Sequence, residues 1–147
     1  MSTITSFFKD SISVNTSETR LAIGLLFLRF FGALALLRTH GLPKALDIKS
    51  TMEHIPDPIG MGATFATYYA IFANVLCALF IMVGLGTRWA ALAILSITLS
   101  GLFLVHATDP AKVQDTPLIY SIVFFTLAIL GSGKFSVDAL LQKKLNA

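Results

Sequence analysis

The chain has 147 residues, enough for one domain, and 55 % of them are hydrophobic while only 13 % are charged. A soluble domain of this size needs more charge to cover its surface, and the mean hydropathy of +0.78 points to lipid instead. The formal net charge of +3 forms no basic run, because Lys and Arg flank apolar segments, and this pattern argues against a nucleic-acid surface.

Residues 1–20 form a polar N-terminal segment without the charged-then-apolar order of a cleaved signal peptide, so the first helix is expected to stay in the mature protein. The first apolar segment, 21–37, carries Arg29, with Gly32, Leu36 and His40 following it along nearly one stripe at helical spacing. The polar stretch 38–60 contains Pro43, Pro56 and Pro58. A short extra helix is expected to start near Pro43, with the proline breaking or restarting the first long helix there. The second apolar segment, 62–83, puts Thr67, Asn74 and the single cysteine, Cys77, on one face. One thiol excludes an internal disulfide and dithiol chemistry.

A tight turn at 84–88 leads to the third segment, 89–105, which opens on Trp89 and ends at His106. Ser96 and Ser100 within it read as a small-residue packing seam. A connection over 107–116 precedes the fourth segment, 118–130, with Tyr120 one turn in. Each segment approaches the roughly 20 residues a spanning helix needs, and no period-two alternation competes. The fold class predicted is all-α, a membrane four-helix bundle over residues 21–141, with 142–147 as a tail. Lys9, Arg20, Arg88, Lys134, Lys143 and Lys144 fall on one side, and Arg38, Lys44, Lys49 and Lys112 on the other. The richer side is expected to be cytoplasmic, with both termini there, in a bacterial inner membrane.

The residues that do not belong in lipid define the candidate site. A cation in the middle of a spanning helix costs about 2.5–3.5 kcal/mol on insertion scales, so Arg29 should face the interior and find a partner. Asn74 is expected at the same depth, able to accept a hydrogen bond from Arg29 without neutralising it. His40 and His106 end helices at the outer face, and Tyr120 and Lys44 join them there, a set suited to hydrogen bonding and proton transfer. Two histidines make an incomplete metal site that His54, Glu53 or Asp109 would have to complete. The plainer readings are a structural arginine and histidines capping helix ends. No Walker, GxGxxG, HExxH or Ser-His-Asp pattern is present.

Four motifs in order resemble the DoxX family of small bacterial four-helix membrane proteins. They are Leu28-Arg29-Phe30, then His40-Gly41-Leu42-Pro43-Lys44, then Gly84-Leu85-Gly86-Thr87-Arg88-Trp89-Ala90-Ala91 followed by His106, and Gly133-Lys134-Phe135-Ser136-Val137-Asp138-Ala139-Leu140. Many relatives carry a glutamate about ten residues before the third motif, where this chain has Asn74. The resemblance implies membrane redox work beside a protein partner, including quinone-linked oxidoreductases that contain related subunits.

Together these features suggest a redox-associated accessory protein, possessing a site for a quinone-like or other small amphipathic ligand built from Arg29, His40, Lys44, Asn74, His106 and Tyr120. A non-catalytic scaffold or small transporter-like subunit stays open, as does haem or metal binding through His40 and His106. A homodimer would enlarge the small interior that four helices enclose.

Overall fold

The protein, as a computed structural model, is described over residues 17–146. The reading of residues 1–16, and the part of the charge count resting on Lys9, lie outside the described residues. Among the described residues there are six helices: α1 Glu18–Leu46, α2 Ile48–His54, α3 Ala63–Val83, α4 Thr87–Val105, α5 Ala111–Leu130 and α6 Val137–Leu145. Four of them, α1, α3, α4 and α5, are long and apolar enough to cross a membrane. Their outer faces carry side chains such as Phe27, 64 % exposed, and Phe103, 66 % exposed, as lipid contact requires. The interior is lined by small residues, among them Ala33, Ala73, Ala78 and Ala91, all completely buried, with Ile81, Ile94, Phe124 and Leu127 filling the space between. Without a hydrophobic drive between helices in lipid, small residues let the backbones close to van der Waals range.

Two glycines set the closest approaches. A Cβ at Gly32 would sit 2.9 Å from Val123 of α5. A Cβ at Gly41 would overlap the backbone carbonyl of Asn74 on α3. Gly32 therefore serves the contact with α5.

Pro43 does not break α1. The helix widens to π geometry over Leu37–Gly41, where the Leu42 N–H donates to the Leu37 carbonyl five residues back, and then continues to Leu46. Lys44 Nζ donates to the His40 carbonyl at 3.2 Å, beside the wide turn. The extra helix is α2, started by Asp47, whose carboxylate accepts from the Ser50 N–H at 3.0 Å. The stretch 107–116 is also more helical than expected. α5 begins at Ala111 and carries Pro117 inside it. The Ser121 hydroxyl lies 2.7 Å from the Pro117 carbonyl and 2.9 Å from the Thr98 hydroxyl, tying α5 to α4 at that point.

Arg29 and Asn74 do not share a depth. Because α1 is 29 residues long against 21 in α3, Asn74 meets it at Gly41, while Arg29 lies level with the α3–α4 turn. Twelve residues of α-helix separate the two levels, about 18 Å. Arg29 is 2 % exposed, and one guanidinium nitrogen donates to the Phe135 carbonyl. The chain after α5 folds back over it. Ser136 caps α6 by accepting from the Ala139 N–H at 3.2 Å. Asp138 accepts from the Gly86 and Thr87 N–H groups at 2.8 and 3.3 Å, capping α4, and its own N–H donates to the Gly84 carbonyl at 2.9 Å. Asp138 forms no ion pair with Arg29 among the described residues, and Arg29 Nε and Nη1 have no hydrogen-bond partner there. The partner of the guanidinium thus comes from the C-terminal segment, through the Phe135 carbonyl, and not from α3. The first, third and fourth sequence motifs meet in this one lock.

Gly84 closes it, with φ of 77° and no room for a side chain, since a Cβ would overlap the Arg29 guanidinium and Ser136. Gly84→Ala is expected to destabilise the protein by about 2 kcal/mol or more, from left-handed strain and displacement of Arg29 together. Gly86→Ala meets open space, and with only the strain at φ of 56° it should cost about 1–2 kcal/mol. Gly41→Ala should cost about 1–3 kcal/mol by forcing α1 from α3. Thermal unfolding in detergent checks the ranking; equal losses at Gly84 and Gly86 would contradict the lock.

Candidate functional site: a cavity among the four long helices

At the end of the bundle away from the Arg29 lock, a cavity of about 770 Å³ opens between α1, α3, α4 and α5. The segment joining α2 to α3 covers it, with Ile55, Pro56, Asp57, Pro58 and Ile59 in its lining. Its walls include Leu36, Phe65, Ile97, Val105 and Val113, so most of the surface is apolar. Five of the six residues expected to form the site line it: His40, Lys44, Asn74, His106 and Tyr120. Arg29 does not. An apolar cavity of this size with a few convergent polar groups has the character of a small-molecule site.

The local backbone explains the opening. Three of the four walls leave α-helical geometry beside it, in π-helical stretches at Leu37–Gly41, Phe72–Cys77 and Gly101–Val105. Each adds an extra residue to a turn, pushes a bulge from the helix wall, and frees backbone groups, a device common at functional sites. The first holds His40, the second holds Asn74, and the third ends against His106, whose N–H donates to the Gly101 carbonyl at 2.8 Å.

The polar groups are held individually. The His40 ring packs edge-on against Tyr120, with centroids 5.6 Å apart, and Tyr120 in turn stacks on Phe124 at 6.2 Å. The Tyr120 hydroxyl is 3.2 Å from the Thr39 hydroxyl. His106 Nδ1 is 2.7 Å from Asp109 Oδ2, which orients the ring and leaves the other nitrogen for a further partner. Gln114 braces this corner by donating to the His106 and Asp109 carbonyls at 2.8 and 3.0 Å. Asn74 is 3 % exposed, and its side-chain oxygen has no hydrogen-bond partner. An acceptor left unpaired in such surroundings costs about 1–3 kcal/mol.

Tyr69 and Ser96 belong to the cavity as well, with their hydroxyls 2.8 Å apart across α3 and α4. Tyr69 lies off the Thr67, Asn74 and Cys77 face of α3 that the sequence marks, and Ser96 reads as packing in sequence. Ser96 and Ser100 donate to the Ala93 and Ser96 carbonyls of their own helix, so the seam is locally satisfied. Asp109, which the sequence offers only as a possible metal ligand, braces His106. Among the described residues, no three His, Cys, Asp or Glu side chains gather as a metal site would need.

A family model, DoxX, matches residues 24–107. The match takes in α2, α3, α4 and all but the start of α1, and therefore His40, Lys44, Asn74 and His106, while Tyr120 and Asp138 lie beyond it. No curated protein and no solved structure matches the chain. With more than half of the sequence matched and four candidate spans in place, the chain belongs to the DoxX family.

Proposed function

We propose that this membrane protein binds a small amphipathic ligand with a quinone-like head in the cavity among the four long helices, and that it serves membrane redox chemistry beside a protein partner. The observation that carries the reading is the convergence of His40, Lys44, Asn74, His106 and Tyr120 on one largely apolar cavity in a chain built for lipid. The residues fit such a head. Imidazole, ammonium, amide and phenol groups can donate to ring carbonyls, and the apolar walls suit a ring and the start of a chain.

A bound quinone would supply electron and proton carrying. The chain's own part is to hold the head, exclude water and pass protons between Tyr120, His40 and the loop face. Cys77 is a single buried thiol and cannot act as a dithiol donor, so electrons must come from a partner. The basic side chains Arg20, Arg88, Lys134, Lys143 and Lys144 at the opposite end favour a cytoplasmic placement of α6 in a bacterial inner membrane, which sets the cavity at the outer side. Arg29 then acts through the fold and not through the ligand.

Thermal unfolding of the purified protein with a short-chain ubiquinone analogue tests this. At a hundred times its Kd, the analogue should raise the midpoint by roughly 5–10 °C, the equivalent of about 2.7 kcal/mol. His40→Leu and Tyr120→Phe should each weaken binding about 5–10-fold by removing one hydrogen bond. Arg29→Met should lower the midpoint of the ligand-free protein and leave the ligand-induced rise in place. No rise at saturating analogue, or a full rise in the combined His40→Leu and Asn74→Leu variant, would overturn the reading.

A further inference from the structure

The other end of the bundle holds a second cleft, of about 800 Å³, between the start of α4, the end of α5 and α6. Three cations line it: Arg88 on α4, Lys134 in the segment after α5, and Lys143 on α6. Asp138 also lines it, but its carboxylate is occupied by the Gly86 and Thr87 N–H groups, so the free charge facing the space is positive.

Arg88 is positioned by the backbone beneath it. A Cβ on Gly131, where φ is 78°, would sit 3.2 Å from Arg88 Nε, so the guanidinium lies along the turn that ends α5. Lys134 Nζ donates to the Thr19 hydroxyl at 3.0 Å and keeps two further protons to give. Thr87, 1 % exposed, lines the same cleft, and its hydroxyl has no hydrogen-bond partner.

The position narrows the ligand. The cleft lies where two candidate spans reach their ends, at Thr87 and Leu130, which is the depth of the headgroup layer. Trp89 in its lining is 80 % exposed, and Leu130 is 47 % exposed. An indole beside cations at a span end is the arrangement that anchors a protein at the headgroup level. A basic pocket between helices at that depth suits an anionic head whose tails continue along the apolar rim.

We infer that this cleft is a binding site for the headgroup of an anionic phospholipid, held by Arg88, Lys134 and Lys143 with Trp89 against the glycerol and upper chain. The site is separate from the ligand cavity and does not depend on what that cavity binds.

Trp89 is the only tryptophan, so its fluorescence reports this site alone. The full chain is reconstituted in mixed phosphatidylcholine and phosphatidylglycerol vesicles, with brominated acyl chains carried by one lipid or the other at equal mole fraction. Brominated phosphatidylglycerol should quench Trp89 several-fold more than brominated phosphatidylcholine does. Each charge removed should lower the preference about five-fold, so Arg88→Gln with Lys143→Gln should abolish it. Lys112→Gln, at the opposite end, should leave it unchanged. Inorganic phosphate, compared with chloride at matched ionic strength, should also leave it unchanged.

Equal quenching by the two brominated lipids in the wild-type protein would overturn the assignment, whatever the folding of the variants. A preference that survives the double substitution would also overturn it. A preference erased by inorganic phosphate would mark the cleft as a site for a free anion and not for lipid.

Discussion

A buried guanidinium sets the register of the bundle. Arg29 cannot be left alone in an apolar interior, where an uncompensated charge costs several kcal/mol. The structure answers with the Phe135 carbonyl and a glycine at 84 that leaves space for the group, while Nε and Nη1 have no hydrogen-bond partner among the described residues. Both lie at the junction of the α3–α4 turn and the C-terminal segment. Once α1 is held there, Gly41 comes level with Asn74, and the loop-side half of the bundle is placed by helix length alone. The same contacts cap two helices, because Asp138 serves the start of α4 and Ser136 the start of α6.

The other half of the bundle is opened by its backbone. Straight α-helices lined with alanine would close on each other as they do around Ala33 and Ala78. π-helical turns in α1, α3 and α4 interrupt that closure at one depth and bring His40, Asn74 and His106 to a common space. Pro43 takes part in this by favouring a wide turn ahead of it, with the Lys44 ammonium donating to the His40 carbonyl. The molecule is divided along its long axis, with a closed end around Arg29 and Gly84 and an open, ligand-sized end beneath the loops.

Much of this was legible in the residues. Four spans, their up-and-down order and the gathering of His40, Lys44, His106 and Tyr120 follow from apolar length and antiparallel packing. Asn74 was also marked, but for the wrong reason. Pairing it with Arg29 assumed that an apolar run and its helix share a centre. α1 in fact extends past the run at both ends, from Glu18 to Leu46, which shifts Arg29 toward the termini. The role of Asp138 could not be read from pattern, since its carboxylate caps the start of α4 only after the chain has crossed the membrane twice more. The π turns carry no reliable signature either. Pro43 hinted at a disturbance, and a break was the simpler expectation.

A redox-linked ligand between helices and an anionic lipid at the termini would give the protein one polar task at each face of the membrane. The more consequential is the ligand cavity, and photolabelling reaches it most directly. A photoreactive quinone analogue, activated on the protein in lipid nanodiscs and mapped by mass spectrometry, should modify segments containing His40 and Lys44, Tyr69 and Asn74, or Tyr120, and an excess of unlabelled quinone should suppress that modification. Labelling concentrated around Arg29, Gly84 and Phe135, or spread over the lipid-facing surface without competition, would contradict the placement of the ligand.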